Sequence, residues 1–253
     1  MEYRINFLIS SSLGLIIGAA IHIFLWNAVY DAIDHPRIGA FDRKAMLFYI
    51  GCATLCSVLT RAYRKEREIA AEIRSGELNK YLIKPFSFFG FVASFSLGER
   101  LSGWAFLLII AAVFGIPILY AADLSLSFAG ICAAIPFLLC GMVLNFLFTL
   151  IIALLAFWFD EVWTFQVMKD LLLWFLSGQV FPMSVLPAPI QQIAHWLPFQ
   201  YIAYVPATLM TGQQHPTELL PYFPVVLFHI GLLLLLAHWI WQKGLLRYGA
   251  FGG

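Results

Sequence analysis

The sequence has 253 residues, of which 62% are hydrophobic and only 11% are charged. Because a soluble domain carries about 25% charged residues, this composition excludes an ordinary soluble domain and indicates a membrane protein. The net charge of +1 at pH 7 gives no electrostatic reason to expect a nucleic-acid partner. We therefore expect the lipid bilayer as a partner of the chain and no binding to nucleic acid.

The charged residues are confined to islands between long uncharged stretches. Asp, Glu, Lys and Arg are absent from Ile5–Tyr30, Ala45–Thr60, Leu101–Ala122, Leu124–Phe159, Leu171–Thr217 and Leu219–Gln242. A helix that crosses a bilayer needs about 20 mostly apolar residues, and continuous apolar runs are typical of helices rather than of the strands of a barrel. The sequence therefore predicts an all-α, polytopic membrane protein with one membrane domain over residues 1–253 and no attached soluble domain.

Six transmembrane helices are predicted in chain order. Their approximate bounds are Phe7–Val29, Ala45–Tyr63, Leu97–Leu119, Ala129–Phe157, Phe165–Leu186 and Leu219–Trp241. Four long spans with more re-entrant structure is the alternative. The first apolar run exceeds the usual length of about 7–15 residues in a signal peptide, so we interpret it as a retained span. Within it, Ser10, Gly14 and Gly18 form a stripe of small residues that favours close helix packing.

A charged segment, Arg61–Lys84, separates the second and third spans and holds seven of the fifteen Lys and Arg residues. Ile69 and Ile73 are four residues apart within it, and Gly76 and Pro85 are suited to ending helices. The pattern predicts a short amphipathic helix that lies along the membrane or against a partner.

A proline-rich region follows the fifth span. Repeated prolines exclude one straight helix there, and they occur at Pro182, Pro187, Pro189, Pro198 and Pro206. We expect short re-entrant or interfacial helices between spans 5 and 6. One of them is predicted to carry Ile190, Ile193, Ala194 and Leu197 on a single face.

The distribution of basic residues predicts the orientation of the chain. With the N-terminus inside, the cytosolic side receives ten basic residues, namely Arg4, the seven of the charged segment, Lys243 and Arg247. The outer side receives three, namely Arg37, Arg43 and Lys44. Because cytosolic loops are enriched in Lys and Arg, we expect both termini to be cytosolic.

No pattern of residues indicates catalysis or metal binding. The sequence has no HExxH, GxSxG or P-loop pattern, its histidines are scattered, and its four cysteines are interpreted as small buried hydrophobic residues. The predicted span centres carry no charged residue, whereas an ion-coupled transporter usually needs one. Two adjacent pairs of opposite charge near span boundaries, Glu99–Arg100 and Lys169–Asp170, are interpreted as interfacial anchors or ion pairs.

Three segments carry a resemblance to a known family. The segment EIRSGELNKYLIKPF resembles the first cytosolic loop of ABC type-2 permeases, in a bacterial six-span branch with the pattern G-E-L-x-x-Y-L-[LI]-[KR]-P. The matching positions are Gly76, Glu77, Leu78, Tyr81, Leu82, Ile83, Lys84 and Pro85. The stretch FLSGQVFPMSVLPAPIQQIAHWLPFQYIAYVPATLMTG and the ending GLLRYGAFGG are also similar to that branch.

The resemblance implies a permease subunit of an ATP-binding-cassette exporter in the bacterial inner membrane, and not an enzyme. Two permeases, identical or related, pair with each other, and each meets a separate cytosolic ATPase that binds ATP and Mg. The loop after span 2 supplies a coupling helix, and the short helices between spans 5 and 6 close the outer mouth. Only MEYRIN precedes span 1, so the interface helix of many members is not expected here.

The resemblance assigns residues to three places. Contact with the ATPase is expected from Glu68, Ile69, Glu72, Ile73, Gly76, Glu77, Leu78, Tyr81, Lys84 and Pro85. The second cytosolic loop contains Asp160 and Glu161, and the outer gate contains Pro182, Pro187, Pro198 and Phe199. In the coupling helix, Ile69 and Ile73 would be the apolar anchor, and charge complementarity would come from Arg64, Lys65, Arg67, Glu68, Glu72 and Arg74.

Other functions are compatible with the same sequence. The basic segment could contact anionic lipid alone, a contact worth about 1 kcal/mol per basic residue. The chain as a whole could be a secondary carrier, a membrane enzyme or a membrane scaffold. The substrate and the choice between homodimer and heterodimer are not determined by the sequence.

Overall fold

The computed structural model describes residues 17–18, 20–33, 36–61, 64–85, 87–121 and 123–248, and gives the backbone alone for residues 64–67, 102–103, 106, 114 and 118. The described part is helical apart from one two-residue strand pairing, which confirms the all-α class. The predicted span residues before position 17, with Ser10 and Gly14, lie outside it, as do residues 249–253 and the side chains of Arg64, Lys65 and Arg67. Exposure below means surface that the chain itself leaves uncovered.

The elements follow in chain order. The helices are α1 (described at residues 17–18 and 20–32), α2 (Arg43–Thr60), α3 (Arg64–Arg74), α4 (Asn79–Leu82), α5 (Phe88–Ile110), α6 (Ile116–Ala121), α7 (Phe128–Leu154), α8 (Trp163–Leu176), α9 (Ala188–Trp196), α10 (Tyr204–Met210), α11 (Pro216–Leu219) and α12 (Phe223–Tyr248). Short 3₁₀ turns occur at Leu155–Phe157, Met183–Val185, Pro198–Tyr201 and Leu220–Tyr222, and π-helical Ala111–Gly115 joins α5 to α6.

A small hairpin lies between the first two predicted spans. Strands β1 (Arg37–Ile38) and β2 (Phe41–Asp42) pair in antiparallel fashion around Gly39, whose φ is +61°. The Asp42 carboxylate then accepts a hydrogen bond from the amide of Ala45 at 2.7 Å. This bond satisfies a free amide in the first turn of α2 and fixes where the helix begins.

The third predicted span is part of a longer helical run. α5 begins at Phe88 rather than at Leu97, because the Ser87 hydroxyl caps the amide of Gly90 at 2.9 Å. The run ends at Ala121 after its π-helical turn. The helix therefore begins nine residues before the predicted start of the span at Leu97.

Helix α7 is the central element of the fold. With the 3₁₀ turn that follows, it covers Phe128–Phe157, which confirms the predicted fourth span. A Cβ atom added at Gly141 would lie 2.7 Å from the carbonyl oxygen of Tyr201. One added at Gly130 would overlap the carbonyl oxygen of Leu209. Glycine at these positions therefore lets the chain around α10 approach the α7 backbone closely.

The helix at the fifth predicted span ends earlier than predicted, and the helix at the sixth continues past the predicted end of the span. α8 stops at Leu176 instead of continuing to Leu186, and Gly178 follows with a φ of +83°. Its 14 residues rise about 21 Å, less than the roughly 30 Å of a bilayer core. α12 continues beyond Trp241, the predicted end of the sixth span, to Tyr248.

Two helices of the described residues are long and apolar enough to cross a membrane, Phe128–Phe157 and Pro216–Tyr248. The count of six spans stays a prediction.

The prolines of the proline-rich region separate short helices, as predicted. Pro182 precedes one 3₁₀ turn, Pro187 precedes α9, and Pro198 begins another 3₁₀ turn. Ile190, Ile193 and Ala194 lie in α9 at the predicted helical spacing, whereas Leu197 follows the helix as its C-cap. Three of the cysteines are buried as expected, and Cys132 is exposed.

Two apolar clusters divide the molecule along α7. The first cluster packs α2 and α10 against the first half of α7, around Phe137 and Leu144. The second packs α3 and the end of α12 against the last turns of α7, around Leu150 and Leu154. The proline-rich region and the charged segment are therefore associated with different ends of the same helix.

Candidate functional site

The charged segment packs its apolar face onto the rest of the chain. Ile69, Ala70 and Ile73 of α3 are at most 4% exposed. They belong to the cluster that contains Leu154 and Phe157 at the end of α7. The predicted amphipathic helix is present, but its apolar face is covered by the chain itself.

Gly76 reverses the chain between α3 and α4. Its φ of +77° lies in the left-handed region that favours glycine, and its amide donates to the carbonyl of Ile73 at 3.4 Å. Beyond the turn, Leu78 and Tyr81 are buried, and the Tyr81 ring contacts the Phe88 ring with centroids 5.7 Å apart. The matched sequence pattern thus supplies one turn and two buried anchors.

An ion-pair cluster joins the two short helices. The Lys80 ammonium lies 2.7 Å from Glu77 Oε2 and 3.0 Å from Glu72 Oε1. The Tyr81 hydroxyl donates to the same Glu72 oxygen at 3.0 Å. Hydrogen bonds from Lys80 to Glu77 and then to Glu72 raise the pKa of Lys80 above its ordinary value. The cluster holds α4 against α3.

The end of α12 packs on the same segment. The Phe157 ring lies between Trp241 and Tyr248, with centroid distances of 5.9 and 6.1 Å. Gly244 faces that ring so closely that an added Cβ would overlap it. The Tyr248 hydroxyl lies 3.8 Å from the position of a Cβ at Gly76. Two of the three segments that carry the resemblance therefore meet in space.

The loop after α7 contacts α3 through its backbone. Arg74 Nη1 donates to the carbonyl oxygen of Asp160 at 2.5 Å. The Glu161 carboxylate accepts a bond from the amide of Trp163 at 2.7 Å and satisfies the start of α8. The structure thus brings Asp160 to the charged segment, whereas the Glu161 side chain serves the adjoining helix.

An uncovered surface remains on the side of the segment that faces away from the core. Ile83 is 83% exposed and Leu82 is 44% exposed, next to exposed Glu77, Lys84 and Pro85. Ile69 and Ile73, which the resemblance assigns to an apolar anchor for a partner, are covered by this chain itself, and their contact with a partner stays a prediction. The period of the sequence places those two residues on one face, but it does not show whether that face packs on this chain or on another.

Three side chains bind the C-terminal end of α2, just before the charged segment. Trp104 Nε1 donates to the carbonyl of Leu59 at 2.8 Å, and Asn145 Nδ2 donates to that of Thr60 at 3.0 Å. Arg100 Nε lies 3.4 Å from the carbonyl oxygen of Arg61. They satisfy carbonyls that lack partners within a helix, and they attach the end of α2 to α5 and α7.

Lys169 is a buried cation in the described region. Its side chain is 6% exposed, and its ammonium lies 2.9 Å from both Thr149 Oγ1 and Asp170 Oδ1. The sequence interpretation as an ion pair is confirmed, but Lys169 and the 2% exposed Arg100 are interior residues rather than surface anchors. The sequence analysis placed both residues near span boundaries because each lies close to an uncharged run. That position along the chain does not show that their side chains are buried.

The residues expected at an outer gate lie in the proline-rich region. The ring of Phe199 contacts that of Phe148 on α7, with centroids 5.2 Å apart. Pro182 is buried, Pro187 is exposed and Pro198 is half-buried, each at the border of a short helix. No group of three or more His, Cys, Asp or Glu residues within the described ranges is placed to hold a metal ion.

One of three comparisons with known proteins identifies a family. A family model described as "ABC-2 family transporter protein" matches residues 16–252. Comparison with curated proteins gives no match, and neither does comparison with solved structures. The match spans nearly the whole chain, including the three segments on which the resemblance rests except for Gly253. The chain therefore belongs to the ABC-2 family of transporter permeases and is an integral membrane protein.

Proposed function

We propose that this chain is the membrane-spanning subunit of an ATP-driven exporter in the bacterial inner membrane. Its termini and charged segment face the cytosol, and a separate ATPase that binds ATP and Mg supplies the energy. Two permeases pair, as identical or related chains. Residues 1–253 form one permease domain, and the proline-rich region closes the outer mouth.

One observation carries the proposal: in the described part of the charged segment, one side packs on the rest of the chain and the other side is uncovered. Its buried side joins α7 and α12 through Ile69, Ile73 and Tyr81. Its uncovered side presents Leu82 and Ile83 beside charged and polar residues. A partner that binds and displaces this surface would displace the ends of two long helices, because the interior between them is close-packed. A segment that only binds lipid headgroups has no need of this attachment.

The first experiment is affinity purification of the chain from native bacterial membranes, with identification of the recovered chains by mass. We expect a stoichiometric soluble ATPase and a second permease copy or a related permease. Recovery of this chain alone, under conditions that preserve known exporters, would contradict the proposal.

Variants of the exposed surface then test the coupling. The Ile83→Asp variant is expected to lose the ability to stimulate ATP hydrolysis by the partner ATPase. Its thermal unfolding temperature should not change, because Ile83 contacts little of its own chain. Ile83→Leu is the matched control and should retain stimulation. Ile69→Asp should lower the unfolding temperature, because its charge would be buried. Full stimulation by the Ile83→Asp variant would show that the partner does not bind this surface.

The buried cation Lys169 favours a second candidate, an ion-coupled secondary carrier. Intramembrane ionisable residues often mark proton or ion pathways, and Lys169 and Arg100 are both interior. This candidate predicts transport in vesicles that an uncoupler abolishes and that ATP does not affect. The exporter instead predicts transport that requires ATP and that an uncoupler does not abolish.

A further inference from the structure

A cavity of about 480 Å³ lies in the proline-rich region, between α9, the 3₁₀ turn at Pro198–Tyr201, α10 and the residues before α12. Its volume falls within the range of about 300–1,000 Å³ that is typical of sites for small molecules. None of the side chains expected at the ATPase contact lines it. The cavity is therefore separate from the charged segment, and the two are associated with opposite ends of α7.

The floor of the cavity is apolar. Its buried aliphatic residues are Met183, Ala194, Val205 and Leu219, and the buried ring of Tyr201 adds an aromatic surface. Removal of apolar ligand surface from water against such a floor is the main favourable contribution to binding. The floor therefore favours a ligand with an apolar body.

The buried polar groups of the wall lie against one another and against the backbone. Gln200 Nε2 donates to the carbonyl of His195 at 2.9 Å, and the Gln200 side chain also neighbours the Tyr201 hydroxyl. These groups therefore offer little hydrogen bonding to a ligand deep in the cavity. A polar ligand would lose its hydrogen bonds to water there, which is unfavourable, whereas an apolar chain has none to lose.

The rim of the cavity differs from its floor. The exposed lining residues are Ser184, Gln192, His195 and Trp196, and none of the described lining residues is Asp, Glu, Lys or Arg. A charged ligand head would therefore find no acidic residue, lysine or arginine here to offset its loss of hydration. An uncharged head can exchange hydrogen bonds with the Ser184 hydroxyl and the Gln192 amide. The rim thus favours an uncharged head over a charged one.

The cavity lies beside one of the helices that are long and apolar enough to cross a membrane, Pro216–Tyr248. His229 Nε2 lies 3.1 Å from the carbonyl oxygen of Trp196, at the end of α9. His229 is the seventh residue of α12, so this contact is about 9 Å along the axis from the start of that helix. α9 also leaves Ile190 and Ile193 uncovered by the chain, a face suited to lipid. The cavity is therefore at a depth where lipid chains are present.

We propose that this cavity binds the acyl chain of an uncharged lipid, with the head of the lipid at the rim. A soluble polar molecule would not use the apolar floor, and an ionic lipid would find no counter-charge at the rim. The proposal names a substrate class for the exporter proposed above and rests on that function for its role in transport. Binding itself is a property of this chain and is measured without the ATPase.

The test is photolabelling of the full-length chain in lipid nanodiscs by a monoolein analogue that carries a diazirine in its chain. Mass spectrometry identifies the labelled residues, and residues 232–236 of α12, most of which are exposed, report contact with bulk lipid. The unlabelled competitors are monoolein, oleyl sulfate, oleyl trimethylammonium and glycerol. Saturable labelling of the cavity that monoolein displaces best supports the proposal. Absence of saturable labelling there, or equal competition by a charged lipid or by glycerol, would overturn it.

A first pair of variants tests the floor. Ala194→Leu extends a buried side chain of the cavity and should weaken monoolein binding about tenfold, the effect of excluding roughly two chain methylenes. Ala188→Leu, at an exposed position of the same helix that does not line the cavity, is the control and should retain binding. The unfolding temperatures of both variants show whether each is folded. Unchanged binding by a folded Ala194→Leu variant would overturn the assignment.

A second pair changes the rim and leaves the floor intact, so it tests the proposal even if the Ala194→Leu variant does not fold. Gln192→Lys places a cation at an exposed lining position and should strengthen competition by oleyl sulfate about threefold, the effect of one exposed ion pair. Gln213→Lys, at an exposed position that does not line the cavity, is the control. No gain for oleyl sulfate in the Gln192→Lys variant would overturn the placement of the lipid head at this rim. Because no ATPase is present, loss of coupling to ATP would leave these results unaffected.

Discussion

The rings of Phe88 and Trp241 stack face to face, with centroids 4.1 Å apart and ring planes 8° apart. Phe88 is the first residue of α5, and Trp241 lies in the last third of α12. The stack therefore fixes the exit of the charged segment to α12. Together with the contact of Tyr81 with Phe88, it connects the exposed surface at Ile83 to two long helices.

Removal of Trp241 should break this connection. Trp241→Ala deletes a ring that is 8% exposed, and we expect a loss of about 3–5 kcal/mol in the free energy of unfolding together with reduced stimulation of the ATPase. Trp239→Ala is a matched control, because Trp239 lies two residues away and is 58% exposed. It should change stability much less. Equal losses of unfolding free energy in the two variants would show that the stacked ring of Trp241 contributes no more to stability than the exposed ring of Trp239.

The α7 backbone at Gly141 lies close to the backbone of Tyr201 and Ile202. A single added methyl group there should therefore lower stability. Gly141→Ala should lower the unfolding temperature, since its Cβ would lie 2.7 Å from the carbonyl oxygen of Tyr201 and 3.0 Å from the Cα of Ile202. Gly231→Ala in α12 places its Cβ in open space, and the higher helix propensity of alanine should leave stability equal or slightly higher. A thermal melt of the two purified variants measures the difference. A Gly141→Ala protein as stable as the native chain would be incompatible with this packing.

The ion pairs of Lys80 predict a dependence on pH. Because the pKa of Lys80 is raised in the folded state, its contribution to stability is fully present below the ordinary value of 10.5 and is lost as the pH rises from there through the folded pKa. The unfolding temperatures of the native chain and of a Lys80→Gln variant should therefore differ by a constant amount from neutral pH to 10.5 and converge above it. The contribution is small, because the pair is partly exposed and screened by salt. If the difference in unfolding temperature disappeared below pH 9, a group other than Lys80 would be its cause.

The stability of the protein should depend on the carboxylate of Asp170 beside the buried ammonium of Lys169. Asp170→Asn leaves a nearly buried ammonium with fewer compensating groups, and we expect a loss of about 1–3 kcal/mol in the free energy of unfolding, reduced by the partial exposure of Asp170. The double variant Lys169→Met/Asp170→Asn should recover part of that loss. Glu218→Gln, a change at an exposed carboxylate in α11, serves as the control. If the double variant recovered none of the lost free energy of unfolding, the loss in the Asp170→Asn variant would not come from an uncompensated Lys169 ammonium.

Local chemistry allowed several features to be predicted from the sequence. The α3 helix followed from the spacing of Ile69 and Ile73, and its end followed from Gly76, because only glycine adopts a positive φ readily. The bounds of α7 followed from an uninterrupted apolar run. The end of α8 was not predictable in the same way, because an apolar sequence continues beyond Leu176 while the chain turns at Gly178 to meet Tyr204.

The sequence by itself determined the membrane class, the helical composition, the charged segment and the family, since each depends on residue type and spacing along the chain. Only the tertiary structure decided which surfaces are covered. It buried Ile69 and Ile73, left Leu82 and Ile83 uncovered, and placed Lys169 in the interior. The physical reason is that burial depends on contacts between residues far apart in the sequence, such as Phe157 with Trp241 and Asn145 with Thr60. Helical periodicity defines a face but does not define what packs against it.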